Sequence, residues 1–283
     1  MSRTASEIIK EFRVIASHPE KAIAYHKRET GKGAVGIMPV YCPEEIVHAS
    51  GYLPIGMWGA QKKTISKART YLPPFACSIM QSIMELQMEG VYDELNAVIF
   101  SVPCDTLKCM SQKWHGKAPA IVFAHPQNRK NARKAADAYC REEYAIVKEK
   151  LEDILGVAIT NSAIKESIAV YNENRAACRR FSDIAARYPG NIRPSETEPK
   201  KEFTGKKVVV SGIMLEPYEV LDIFEENGLA IVADDLAQET RNFRQDVGDD
   251  EDALLALAKA WNDFDGCSLA TDAAKPKGRI IID

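Results

Sequence analysis

ELNAVIFSVPCDTLKC, residues 94–109, joins an apolar β-forming run, Ala97 to Val102, to a polar turn. Pro103 breaks the run, because proline has no N–H to give a sheet ladder. It delivers Cys104 and Asp105 to the point where a helix begins. Outward from this stretch the same alternation repeats. Strands predicted at 34–40, 53–58, 97–102 and 118–124 are spaced by helices at 43–50, 76–89 and 128–155. Strands separated by helices form βαβ units and hence a parallel sheet. Ligands of such sheets bind beyond the carboxyl ends of the strands, so a cysteine there is placed for chemistry. Cys77, in PPFACSIMQS, also stands at the start of a predicted helix. Helix N-termini favour thiolate, the form that binds metals. The pair reads as ligation of a soft metal centre, with a buried free thiol as the alternative for each.

Thr4 with Glu7 and Ser17 with Glu20 have capping-box spacing and predict two short N-terminal helices. A long helix is expected over about residues 162–187, and PGNIRPSETEPKKEFTG, residues 189–205, reads as a domain boundary rich in Pro, Gly and charge. The pattern then restarts with a strand at 207–213, a helix at 217–227, a strand at 229–233, a helix at 250–261 and a last strand at 278–283. The organisation expected is N-terminal helices in 1–30, a first α/β domain in 31–160, a linking helix and connector in 161–204, and a second α/β domain in 205–283. With no helix after its last strand, that second domain reads as C-terminally incomplete.

A net charge of −3 and a pI near 6.0 argue against nucleic acid as a partner. No apolar run approaches the roughly 18 residues of a membrane span. The N-terminus reads as an amphipathic helix rather than an export signal, so the seven cysteines are expected in a reducing cytoplasm. Cys140 and Cys178 fall on apolar helical stripes and read as packing groups. Cys109 reads as packing or as a lesser ligand candidate. Cys42 reads as an N-cap-like residue or a site residue, and Cys267 has no assignable spacing. Glu44 and Glu45 suit a helix N-terminus on electrostatics alone, and their nearness to the Cys42 loop leaves a catalytic role open, with Glu45 the candidate. Asp234 and Asp235 follow the strand AIVA; Asp235 reads as a helix cap and Glu239 as the partner of a nearby arginine. Gly31, Gly33 and Gly36 spell G-x-G-x-x-G, but they follow a helix and precede a strand, the reverse of the dinucleotide-binding order.

Five blocks in order, MPVYCPEEIVHASGYLPIGMWGAQ, FACSIMQSIMELQMEGVYDEL, VPCDTLKC, FAHPQNRK and VADDLAQETRNFR, resemble the 2-hydroxyacyl-CoA dehydratases over roughly residues 15–283. The likeness is nearest to the β subunit of the 2-hydroxyisocaproyl-CoA type, with benzoyl-CoA reductase subunits as more distant relatives. The resemblance implies two flavodoxin-like, Rossmann-like parallel-sheet domains in an oxygen-sensitive α/β heterodimer of anaerobic amino-acid fermentation. It implies a [4Fe-4S] cluster held by three cysteines, and it leaves a flavin as a further candidate cofactor. The resemblance further implies that an ATP-hydrolysing iron–sulfur activator injects one electron and that the β cluster relays it to the α subunit, where a ketyl radical of the 2-hydroxyacyl-CoA expels the hydroxyl and, after proton loss and return of the electron, leaves the 2-enoyl-CoA. The family's ligand motifs match Cys77 (C-x-x-x-x-S) and Cys104 (C-D); the third cysteine is expected beyond residue 283. The resemblance also implies a longer helical insertion where residues 194–204 form a short connector. A cluster-free docking subunit and a benzoyl-CoA-reductase-like reductase subunit are the alternative activities. Met57, Trp58 and Met80 are expected to border an apolar contact surface for the α subunit.

Overall fold

The computed structural model of the chain describes residues 4–59, 64–126, 129, 131–187, 205–217 and 219–264. It divides into two compact units, one of His18–Asn172 with Val247–Phe264, the other of Glu173–Asp246 with the chain up to Ser17. The connector at 189–204 and the expected strand at 278–283, with Cys267, lie outside the described residues.

The first unit is built on β1 (Ala34–Ile37), β2 (Leu53–Gly56), β3 (Leu95–Ser101) and β4 (Ala120–Phe123), all parallel, in the order β2-β1-β3-β4. The alternation of side chains along each strand sends residues to two cores. Val35, Ile37, Ala97, Ile99, Ile121 and Phe123 pack on one side with α3 (Glu44–Ala49), α7 (Arg133–Leu155), the start of α8 (Asn161–Arg187) and α11 (Ala253–Asp263). Ala34, Met38, Val98 and Phe100 pack on the other with α2 (Pro19–Thr30), α4 (Ala68–Tyr71), α5 (Ser78–Met88) and α6 (Asp105–Gln112). A parallel sheet covered on both faces is the α/β fold expected from the sequence.

Local chemistry sets the helix ends. Thr4 and Glu7 form the capping box that opens α1 (Ala5–Ser17): Glu7 Oε2 accepts the Thr4 N–H at 2.8 Å, and Thr4 Oγ1 accepts the Glu7 N–H at 3.3 Å. The second box does not form. Ser17 ends α1, and α2 starts at Pro19 after His18, because proline at the first helical position needs no N–H partner. Gly31, at φ 72°, closes α2 in the left-handed region. Gly33 lies against the Asn96 side chain, and Gly36 sits in β1, where a Cβ would come within 2.5 Å of Met57 Sδ and 2.9 Å of Leu95 Cδ1. The glycine pattern is therefore a packing device. Gly36→Ala is expected to cost roughly 1–3 kcal/mol by overpacking, measurable by urea denaturation.

The segment after residue 205 divides differently from the expected second domain. The second unit has only β5 (Lys206–Gly212) and β6 (Leu229–Leu236), parallel to each other, with α9 (Glu219–Glu226) and α10 (Thr240–Phe243), as its described strands and short helices. Val247–Phe264 belongs instead to the first unit. α11 buries a face rich in small residues, Ala253, Ala256 and Ala258, with Leu254 and Leu257, so it packs close to α7. Asp252 caps it by accepting from Leu254 N at 3.0 Å and Leu255 N at 3.3 Å, and also accepts from Arg141 of α7 at 2.8 Å. Asn262 Nδ2 donates to Asp137 of α7 at 2.8 Å. The N-terminal helices likewise separate, α2 going to the first unit and α1 to the second.

Candidate functional site

The strand order reverses direction between β1 and β3, and the crevice outside the carboxyl ends at such a switch point is where open α/β sheets bind ligands. The two loops that leave it carry MPVYCP, residues 38–43, and VPC, residues 102–104. Cys104 is the N-cap of α6, with extended backbone (φ −146°, ψ 164°), and its carbonyl accepts from Lys108 N at 3.0 Å. Cys77 is the N-cap of α5 (φ −65°, ψ 154°), and its carbonyl accepts from Gln81 N at 3.1 Å. Both residues are exposed. Their helices are neighbours, with Met80, Ile83 and Met84 of α5 in one core with Leu107 and Met110 of α6. Two accessible thiols thus stand at the N-terminal ends of adjacent helices.

The other candidates lie elsewhere. Cys42 is buried, with Sγ 3.8 Å from the Ile99 carbonyl, and burial pushes its thiol up to about 12. The N-cap of α3 is Pro43, not Cys42. Glu45 is fully buried in the first turn of α3. Cys109 is half-buried within α6. Cys140 is in the α7 core, its thiol pushed up to about 12 by burial. Cys178 is half-buried on α8, and burial raises its thiol too. Cys140→Ala is expected to cost about 1 kcal/mol as a small cavity and Cys178→Ala less, with metal content of the purified protein unchanged in both. Met57 and Met80 do not border a contact surface; both are buried in the first unit's own core, at 0% and 4% exposure, because the chain leaving β2 and the inner face of α5 turn them inward, while Trp58 is half-buried. The exposed apolar side chain next to Cys77 is Phe75. In the second unit Asp234, rather than Asp235, accepts from Thr240 N at 3.0 Å, and the carboxylate paired with arginines is Asp235, 2.8 Å from Arg244 and 3.5 Å from Arg241.

One group was missed. Tyr41, at φ 67°, is a non-glycine residue in the left-handed region, a conformation that costs energy unless its surroundings hold it. Here they do. Tyr144 Oη donates to the Tyr41 carbonyl at 2.9 Å, Arg129 Nη1 donates to Tyr41 Oη at 3.1 Å, and the ring stacks on His125 with centroids 3.8 Å apart. Arg129 also donates to the Phe264 carbonyl at 2.9 Å. The Tyr41, His125, Arg129 and Tyr144 side chains are all buried. The available signal was positional: Tyr41 follows β1 and His125 follows β4, the same strand-end context that singled out Cys104.

A soft cluster suits the Cys77 and Cys104 donors in type and access. In number they are two, and among the described residues no three His, Cys, Asp or Glu side chains gather to hold a single metal ion.

The parallel, helix-covered sheet defines an α/β protein, and comparison with known proteins gives its family. The family model for the 2-hydroxyglutaryl-CoA dehydratase D-component matches residues 39–197 and 192–281. The chain belongs to this family. It is 54% identical to the lactoyl-CoA dehydratase β subunit of Anaerotignum propionicum over 311 residues, covering 100% of this chain and 82% of the relative. It is 34% identical to the (R)-phenyllactyl-CoA dehydratase β subunit of Clostridium sporogenes, over 99% of this chain and 82% of the relative. It is 37% identical to the (R)-2-hydroxyglutaryl-CoA dehydratase β subunit of Acidaminococcus fermentans, over 89% of this chain and 75% of the relative. The chain is thus a β subunit of the 2-hydroxyacyl-CoA dehydratase family, an enzyme class of hydro-lyases. Among the described residues no helix is long and apolar enough to cross a membrane.

Proposed function

We propose that this chain is an electron-relaying β subunit that pairs with a homologous α subunit and serves the dehydration of a short 2-hydroxyacyl-CoA such as lactoyl-CoA. The observation that carries this reading is the pair of exposed thiols, Cys77 and Cys104, at the N-termini of neighbouring helices, the latter just beyond the carboxyl end of β3. These two residues would hold a [4Fe-4S] cluster, together with a third ligand outside the described residues. When bound, the cluster supplies one-electron transfer between an ATP-dependent activator and the α subunit.

The chain's own contribution is placement. The two helix N-termini present the thiols to solvent, and β3 fixes the turn that carries Cys104. The substrate's choice follows the relatives' names, with lactoyl-CoA the substrate of the 54% identical one. Anaerobic purification should yield iron and acid-labile sulfide, with an electron paramagnetic resonance signal on reduction. With α subunit and activator added, lactoyl-CoA should be dehydrated and an aromatic thioester left unreduced. A docking subunit without redox chemistry is the second reading, favoured by the two-cysteine donor set. It expects a stable complex with the α subunit and no iron on this chain.

A further inference from the structure

The chain is acidic overall, at net charge −3, but its charges are not evenly spread. Residues 60–84 hold Lys62, Lys63, Lys67 and Arg69 and no Asp or Glu, and residues 106–124 hold Lys108, Lys113 and Lys117 and again no acid. The fold brings the two segments together. Ala68 and Leu72 of the first pack into one core with Leu107 and Met110 of the second, and the Tyr71 ring meets His115 edge-on with centroids 5.9 Å apart. With those apolar residues turned inward, Lys67, Arg69, Lys108 and Lys113 are turned out to solvent.

These four cations differ from many of the others. Arg133, Arg141, Lys148, Arg179, Arg244 and Lys259 each face a carboxylate at 2.5–2.9 Å. Among the described residues no carboxylate pairs with the side chain of Lys67, Arg69, Lys108 or Lys113, whereas Lys117 is taken by Asp93 at 2.6 Å. Two large rings stand exposed on the first segment, Phe75 at 64% and Tyr71 at 43%. Exposed aromatics are the anchors of protein interfaces, and unmatched charge around them steers a partner of opposite sign.

Of the two protein partners in the proposed function, the chemistry of the face selects one. A permanent subunit interface is large, apolar and poor in lysine. Transient redox partners meet instead over small faces and are guided by opposite charge. We infer that the face formed by Lys67, Arg69, Phe75, Lys108 and Lys113 docks the activator transiently, through an acidic surface on that protein; this rests on the reading of the chain as a subunit served by an activator. The cations set the rate of encounter, and Phe75 holds the complex once formed.

The test is the association of the whole chain with the activator, followed anaerobically by biolayer interferometry, in wild type and Lys67→Glu/Lys108→Glu. The control is Lys21→Glu/Lys150→Glu, which reverses two exposed lysines of α2 and α7 and has the same net charge. At low salt the patch variant should associate at least about tenfold more slowly than wild type and the control within about twofold of it. The gap should close as salt rises to about 0.5 M, where exposed charges are screened. Phe75→Ala should leave the association rate within about twofold and speed dissociation about tenfold. Complex formation with the α subunit should be unchanged in every variant. Equal rates for the patch variant and the control overturn the inference, because net charge alone would then matter. Loss of α-subunit binding overturns it too, since the face would then be the permanent interface. A DNA duplex that binds wild type but not the patch variant, with activator binding unmoved, assigns the face to nucleic acid and overturns the inference. If the patch variant does not fold, wild type decides: an association rate that falls at least about tenfold between about 0.05 and 0.5 M salt supports docking by charge, and a flat one overturns it. An activator that does not bind wild type at all overturns the reading of an activator-served subunit and this inference with it, an outcome distinct from binding that the patch variant leaves unmoved.

Discussion

Cys77→Ala and Cys104→Ala are each expected to abolish cluster iron and sulfide, and with them electron transfer to the α subunit, while leaving the fold of the chain almost unchanged. The reason is the contrast in their surroundings. Both thiols are exposed N-caps that make no side-chain capping bond, so truncation opens no buried cavity. The stability cost should stay within about 0.5 kcal/mol, as for other surface positions. A cluster bound by few protein thiolates cannot spare one, since such clusters use three or four protein ligands. The effect on iron should therefore be near-complete where the effect on melting is negligible. Cys140→Ala should do the opposite, lowering stability modestly and keeping iron. Iron and sulfide analysis beside a thermal melt checks both; retained iron in either N-cap variant would rule out the assignment of Cys77 and Cys104 as ligands.

How much of this was legible in the sequence depended on whether the signal was local. The strand ending at Pro103 and the helix opening after Cys104 were legible because proline, the apolar run and the helix start lie within a dozen residues. β1 to β4 came out in type and order, although their predicted ends ran a few residues long at β1 and β2, where Pro39 and the 57–59 turn stop the ladder. Three things were not legible. α11 follows β6 in the chain and was therefore assigned to the second domain, but its small-residue face fits α7, a long-range choice that no local pattern records. Cys42 and Cys77 look alike in sequence, each close to a proline and a helix start. One is buried beside the Ile99 carbonyl and the other faces solvent, a difference set by the neighbouring strands. The Tyr41, His125 and Arg129 group joins residues from two loops, and only the strand order brings those loops together.

Glu85 should make the largest single contribution of any surface-distal carboxylate to the seat of the Cys77 helix. It lies on α5 at 1% exposure, with Oε2 accepting from Ser66 N at 3.1 Å and Ala68 N at 2.8 Å, and Oε1 accepting from Ser66 Oγ at 3.0 Å. The carboxylate thus stitches the segment leading into α4 onto the helix that Cys77 opens. Burial alone would push the carboxyl up; the N–H donors of Ala68, Lys67 and Ser66 and the Ser66 hydroxyl outweigh it and hold the group down to about 2, against an ordinary 4.5. A group whose folded value is depressed stabilises the fold above its unfolded value, and that stabilisation is lost as pH falls through the folded value. Glu85 should therefore support the fold fully above about pH 4.5 and progressively less between 4.5 and 2. Glu85→Gln keeps the shape but gives up a charged acceptor to buried donors, a loss of roughly 2–3 kcal/mol near neutral pH. The measurement is a denaturant titration of wild type and Glu85→Gln at several pH values. The gap between them should be widest near pH 7 and close as the pH falls below 4.5, because protonation then does to the wild type what glutamine does permanently. A gap that stays constant down to pH 3 would mean that the carboxylate charge is not what holds residues 66–68 to α5.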